Sequence, residues 1–148
     1  MNEAHPLTGG CQCGQLRYRV TGRPRTLYCC HCTECQAQAS SAFGMSLRID
    51  PDDVEMTGRH GSYFRDKDNP TAVEGVFCPD CGSRVMHRGR GADAGVSIKA
   101  GSLDKTRDLK PVGHIWTRSA QSWVKLDGLI YEEQPDDNYQ ALIEAFQK

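Results

Sequence analysis

Aromatic residues are scarce: Phe, Trp and Tyr make up 7% of the 148 residues. Charge of one sign is not in excess, since 18 Lys and Arg face 19 Asp and Glu for a net charge of -1. That balance argues against a broad surface for nucleic acid or an anionic membrane. No apolar run approaches the roughly 20 residues of a membrane span. The opening MNEAHPLTGGCQCG has no apolar signal region, so export by that route is not expected and a cytoplasmic location is. Neither a G-x-S-x-G elbow nor a Walker loop occurs. Helical spacing is rare as well.

Turn formers and cysteines are what the chain has. The length fits one domain. With 15 Gly and 7 Pro, many turns and short strands are favoured over a helical bundle. QLRYRV (15–20) alternates Leu16, Tyr18 and Val20 against Arg17 and Arg19, the pattern of a half-buried strand. Further strands are expected at 41–49, 54–57, 62–65, 72–77, 84–88, 95–103, 114–119 and 122–126. TECQAQA (33–39) could make one or two helical turns. Near the C-terminus, Tyr139, Leu142, Ile143 and Phe146 fall on one helical face, with Asp136 to Asn138 as a source of the cap. The stretches DKDNP (66–70) and GRGAD (89–93) read as loops. The expectation is a mostly β fold: a single compact domain of short antiparallel strands, stapled by metal, with a C-terminal helix.

Eight cysteines carry most of the information. A reducing compartment gives them no reason to be disulfides, and metal binding is the leading alternative. They fall in three groups. Cys11 and Cys13 form C-x-C; Cys30, Cys32 and Cys35 form C-x-C-x-x-C, with Cys29 adjacent; Cys78 and Cys81 form C-x-x-C before Gly82. Zinc takes four tetrahedral ligands, and closely spaced thiolates chelate it well. Cys11, Cys13, Cys78 and Cys81 can close one structural site. Cys30, Cys32 and Cys35 then supply three ligands and leave one position open, where chemistry takes place. Spacing alone also allows a closed site from Cys30, Cys32, Cys78 and Cys81. Cys29 reads as a buried spare or a sulfur near the second metal. Alternation along C-H-C tends to aim His31 away from a metal held by its neighbours. His114 is read as a core or surface residue, and Trp116 and Trp123 as core residues.

Together these segments resemble the glutathione-dependent formaldehyde-activating enzyme family, which includes centromere protein V-like proteins. The matching stretches are GGCQCGQLRY (9–18), CHCTEC (30–35), FCPDCGS (77–83), GSLD (101–104) and HIW (114–116), in family order. The resemblance implies a zinc domain over residues 7–127, of the Mss4-like, β-tent type, followed by a C-terminal extension, 128–148. It implies two zinc ions per chain: a structural one on Cys11, Cys13, Cys78 and Cys81, and a catalytic one on Cys30, Cys32 and Cys35. It also implies a carbon–sulfur lyase that joins formaldehyde to glutathione.

A zinc held by three thiolates would stabilise a fourth sulfur as its thiolate, the reactive form. The expected substrate is therefore a thiol such as glutathione, or its adduct with an aldehyde or other small electrophile. Arg48, Arg65, Lys67, Arg84, Arg88 and Arg90 are candidate clamps for the carboxylates of glutathione, though each alone also reads as solvated surface charge. Two other functions compete with the enzyme: a zinc-stapled binding module without catalysis, and a reductase using Cys29 or a neighbour as its redox thiol.

Overall fold

The structure, a computed structural model, describes residues 6–66, 68, 73–89 and 95–148. Lys67 and Arg90 lie outside the described residues, as does much of the two expected loops at 66–70 and 89–93. Frequent Gly and Pro keep the strands short. Among the described residues they are β1 Leu7–Gly10, β2 Arg17–Val20 and β3 Thr26–Cys30, then α1 Thr33–Ala39 and β4 Gly44–Ile49. There follow β5 Val54–Thr57, β6 Gly61–Phe64, β7 Glu74–Phe77, β8 Arg84–Arg88 and β9 Val96–Lys99. The chain ends with β10 Gly113–Ile115, β11 Leu129–Ile130 and α2 Gln140–Gln147. The mostly β fold with a C-terminal helix is thus as expected. Contacts divide the chain into two units, Met1–Pro24 with Arg48–Asp108 and Arg25–Leu47 with Leu109–Lys148.

In the first unit, β1, β2 and β5 pair antiparallel, with Leu7 opposite Val20 and Tyr18 opposite Met56. The alternation read from the sequence is real: Leu16, Tyr18 and Val20 are buried while Arg19 is exposed. β6, β7, β8 and β9 form a second antiparallel ribbon, whose Val76, Val85, Met86 and Ile98 are buried. Arg17 pairs with Asp104, which also accepts from the Thr8 hydroxyl at 2.6 Å.

In the second unit β10 pairs parallel with both of its neighbours. β10 runs alongside β3, with His114 beside Cys29 and Ile115 beside Cys30, and alongside β11. A long excursion separates β3 from β10 in sequence, and such a connection permits a parallel pair. Every residue of β3 is buried. α2 lays Leu142, which has no exposed surface, against this layer, and the Thr26 hydroxyl donates to Leu142 O at 2.9 Å. Gly113 permits the close approach: a Cβ there would stand 2.6 Å from both Leu129 O and Leu142 Cδ2.

Several expectations need correction. Residues 122–126 form no strand; Trp123 sits in a turn and is 73% exposed, so it is not a core residue. The strand expected over 114–119 stops at Ile115, because Trp116 adopts a left-handed backbone (φ 57°) and Thr117–Ser119 make a 3-10 turn. Likewise β9 ends at Lys99, before the 3-10 turn Ala100–Ser102.

Candidate metal centres

The four-sulfur cluster belongs to the first unit. The sulfurs of Cys11, Cys13, Cys78 and Cys81 all lie within 4.8 Å of one another. Cys11 and Cys13 are 3.5 Å apart, and Cys13 and Cys78 are 3.8 Å apart. A disulfide would hold two sulfurs at about 2.05 Å. A tetrahedron with zinc–sulfur bonds of about 2.3 Å has edges of about 3.8 Å. The spacing therefore fits a shared metal, and all eight cysteines are free.

The backbone supports the cluster from both ends. Leu16 N–H donates to Cys11 Sγ at 3.3 Å. After Cys78 the chain folds into a knuckle, with Gly82 N–H on Cys78 O at 2.8 Å and Cys78 N–H on Ser83 O at 3.0 Å. Gly82 takes φ +79°, which a glycine adopts without strain. Hydrogen bonds from the Ser83 hydroxyl and from the N–H groups of Ser83 and Cys13 hold the Cys81 thiol down to about 5. For Cys13, a backbone hydrogen bond from Gln15 pulls the other way, yet the neighbouring sulfurs and burial push its thiol up to about 12. Sulfurs this close cannot all ionise without a cation, which is the chemistry of a thiolate metal set.

Sequence reasoning missed two of these supports. Gln15 Nε2 donates to Cys78 Sγ at 3.0 Å and to Arg59 O at 2.7 Å, and its Oε1 accepts from Arg59 N–H. Ser83 Oγ accepts from Gln12 N–H at 3.0 Å besides meeting Cys81. Both stand inside the cysteine motifs at positions with no apolar role, and that was the available signal. Partners of this kind fix the ligands and are tuned with them.

The three-sulfur cluster belongs to the second unit. Cys30 ends β3, Cys32 caps α1, and Cys35 lies in the first turn of that helix. Their sulfurs lie within 4.8 Å of one another, and no fourth His, Cys, Asp or Glu ligand joins them among the described residues. Hydrogen bonds with Cys32 and Cys35, reinforced by burial, push the Cys30 thiol upward. Cys30 and Cys35 are buried, whereas Cys32 is only half-buried. The Cys32 sulfur accepts from Cys35 N–H at 3.3 Å. Gln36, the next residue, was not singled out in the sequence. Its Nε2 donates to His31 O and to Ser119 O, both at 2.9 Å, and so ties the cysteine loop to the 3-10 turn.

Cys29 is outside this cluster. It is the buried spare, and burial pushes its thiol up to about 12. His31 also turns away from the sulfurs. It has no exposed surface, and its Nε2 meets His114 Nδ1 at 2.9 Å. Asp127 N–H donates to His114 Nε2 at 3.4 Å, so His114 carries its proton on Nδ1 and gives it to His31. Burial pushes both imidazoles below their ordinary value. The neutral pair packs beside Phe43, with ring centroids of His31 and Phe43 5.2 Å apart.

Of the candidate clamps, Arg48, Arg65, Arg84 and Arg88 belong to the first unit. Arg88 is committed to Glu74, with contacts of 2.9 and 3.1 Å. Arg84 lies 3.2 Å from His87 Nε2.

A β-rich chain with one four-sulfur and one three-sulfur cluster is, as a class, a protein whose residues suit zinc. The family follows from its sequence. The model of the glutathione-dependent formaldehyde-activating enzyme family matches residues 6–119, and the chain belongs to that family. No curated protein matches it. A crystal structure of a Rhodobacter sphaeroides protein shares the fold at 17% identity and a TM-score of 0.54, over 68% of this chain and 91% of that one. No helix among the described residues is long and apolar enough to cross a membrane.

Proposed function

We propose that the protein is a zinc-dependent carbon–sulfur lyase acting on a thiol, such as glutathione, and its adduct with an aldehyde or other small electrophile. One observation carries the reading: the second cluster has three sulfurs and no fourth ligand among the described residues, with Cys32 half-buried at its edge. The four-sulfur set is complete and serves as the structural site. Cys30, Cys32 and Cys35 form the catalytic site. Zinc held there supplies a soft Lewis acid that favours a fourth sulfur and keeps it as thiolate near neutral pH.

The chain's own residues do the rest. The Cys35 N–H on Cys32 and the Gln36 bonds to His31 O and Ser119 O fix the loop that carries the ligands. Val112, Trp116, Leu129, Tyr131 and Ile143 pack against an apolar core of Tyr28, Ile115, Tyr139 and Leu142 that also takes in Cys30 and Cys35. In the synthetic direction, the thiolate sulfur bonds to the carbonyl carbon and the carbonyl oxygen takes a proton. In the lytic direction, the hydroxyl gives up that proton and the carbon–sulfur electron pair returns to sulfur. A cytoplasmic location goes with this reading, because it keeps thiols reduced and supplies thiol substrates.

The test is turnover against a panel of glutathione–aldehyde mixtures, comparing the native chain with Cys32→Ser. Turnover lost in the variant supports the reading. A panel with no turnover, on protein carrying metal in both clusters, favours the non-catalytic binding module.

A further inference from the structure

The turn between β5 and β6 grips the four-sulfur centre from outside the cysteine motifs. Gly58 takes φ +95°, and a Cβ there would stand 2.0 Å from Gln15 O. Glycine meets both conditions without strain, so the turn lies directly on the main chain that follows Cys13. The next residue, Arg59, then holds the Gln15 side chain twice. Its N–H donates to Gln15 Oε1 at 3.0 Å, and its carbonyl accepts from Gln15 Nε2 at 2.7 Å. A primary amide has one oxygen and two N–H groups. With the oxygen and one N–H taken by Arg59, the other N–H donates to Cys78 Sγ at 3.0 Å.

Gln15 thereby meets one sulfur from each cysteine pair, since its main-chain N–H also supports Cys13. The Arg59 side chain reaches the second pair as well. Its Nη2 donates to both carboxylate oxygens of Asp80 at 2.6 Å, and Asp80 stands between Cys78 and Cys81. The two arms differ in surroundings. The sulfur that Gln15 reaches belongs to Cys78, which has no exposed surface, whereas the Arg59 and Asp80 side chains are 70% and 43% exposed. A hydrogen bond to a thiolate favours the charged form, and only the thiolate is a ligand. Away from water that bond carries more weight than an exposed ion pair.

We propose that Gln15, aimed by the Gly58–Arg59 turn, is a positioning residue that sets how firmly the four-sulfur centre holds its metal. This rests on the reading of that cluster as a metal site. The Arg59–Asp80 pair is the weaker, outer arm of the same grip.

Competition between the zinc-loaded chain and a chromogenic chelator gives the affinity of each cluster. Gln15→Leu should weaken one of the two about 10–100-fold, the scale of a lost outer partner, and leave the other unchanged. Arg59→Ala keeps the main-chain bonds to Gln15, so its loss should be about fivefold at most. Cobalt in place of zinc gives a readout that a merely structural role would not move. A sulfur that has lost its N–H partner holds its electrons less tightly, so the sulfur-to-metal absorption should shift to lower energy in Gln15→Leu. Gln15→Glu is the second variant, in case Leu disturbs the turn: it still accepts from Arg59 N–H but has no N–H for Cys78, and should show the same shift. If both Gln15 variants keep the native affinities and the native absorption, the proposal is overturned while the metal reading stands. If the native chain takes up no metal, both fall together.

Discussion

Replacing Cys78 by Ser should destabilise the fold far more than replacing Cys32 by Ser. Cys78 has no exposed surface and belongs to the complete four-sulfur set. Structural zinc contributes about 10–16 kcal/mol to small zinc folds, so an even share per ligand is about 2.5–4 kcal/mol. That is a large part of a total stability of about 5–15 kcal/mol. At roughly 2–4 °C per kcal/mol for a chain of this size, the melting temperature should fall by roughly 5–16 °C. Cys32 has a second role that Ser can keep. Its sulfur caps α1 by accepting from Cys35 N–H at 3.3 Å, and Ser is among the best N-cap residues. The variant should therefore lose the metal of the second cluster and keep the helix. Circular dichroism melts with metal analysis on the same samples decide the matter. Cys32→Ser should retain one zinc and show less than half the drop of Cys78→Ser. If Cys32→Ser melts as low as Cys78→Ser, the division into structural and catalytic sites is wrong.

Protein purified without chelator should carry close to two zinc ions per chain by elemental analysis; a value near zero, with oxidised thiols, would remove the metal account. Gly82→Ala forces a side chain into φ +79° beside Cys81 and should cost about 1 kcal/mol in a denaturant titration, although open space surrounds that position. No loss would show that the knuckle relaxes freely. Asp104 provides a pH test. Its hydrogen bonds from Arg17 and then Thr8 hold its carboxyl down from 3.8 to about 2. Because the folded value lies below the unfolded one, the contribution of the pair is complete above about pH 4 and fades as pH falls towards about 2. The difference in stability between native protein and Asp104→Asn should therefore shrink across that window; a pH-independent difference would contradict the assignment.

Sequence periodicity revealed those elements that alternate or that carry a helical stripe. Leu16, Tyr18 and Val20 announced β2, and RVMHR coincides with β8. Tyr139, Leu142, Ile143 and Phe146 announced α2, and Asp137 does lend it a hydrogen bond, from Ala141 N–H at 2.9 Å. β3 escaped because all five of its residues are buried, so TLYCC has no alternation to read. β1 and β11 are too short and too rich in small residues, or too isolated, to stand out. Cysteine spacing foresaw the grouping of the sulfurs, because short chelating spacings restrict which ligands can meet. It could not choose between pairing Cys78 and Cys81 with Cys11 and Cys13 or with Cys30 and Cys32, since that choice depends on long-range packing. The polar supports were illegible for a similar reason: Gln15, Ser83 and Gln36 matter through contacts across the fold. Trp116 was read as an ordinary core residue because a left-handed backbone leaves no mark on the sequence around an aromatic residue.

The central claim is that the cluster of Cys30, Cys32 and Cys35 keeps a position open for a substrate sulfur. Cobalt exchanged into that cluster reports this directly through its sulfur-to-metal absorption. Glutathione or a smaller thiol should intensify and shift that absorption in a saturable way, while the Cys32→Ser protein shows no response. If no thiol alters the spectrum of the native protein, the second site is closed, and the chain is a zinc-stapled binding module rather than an enzyme of thiol adducts.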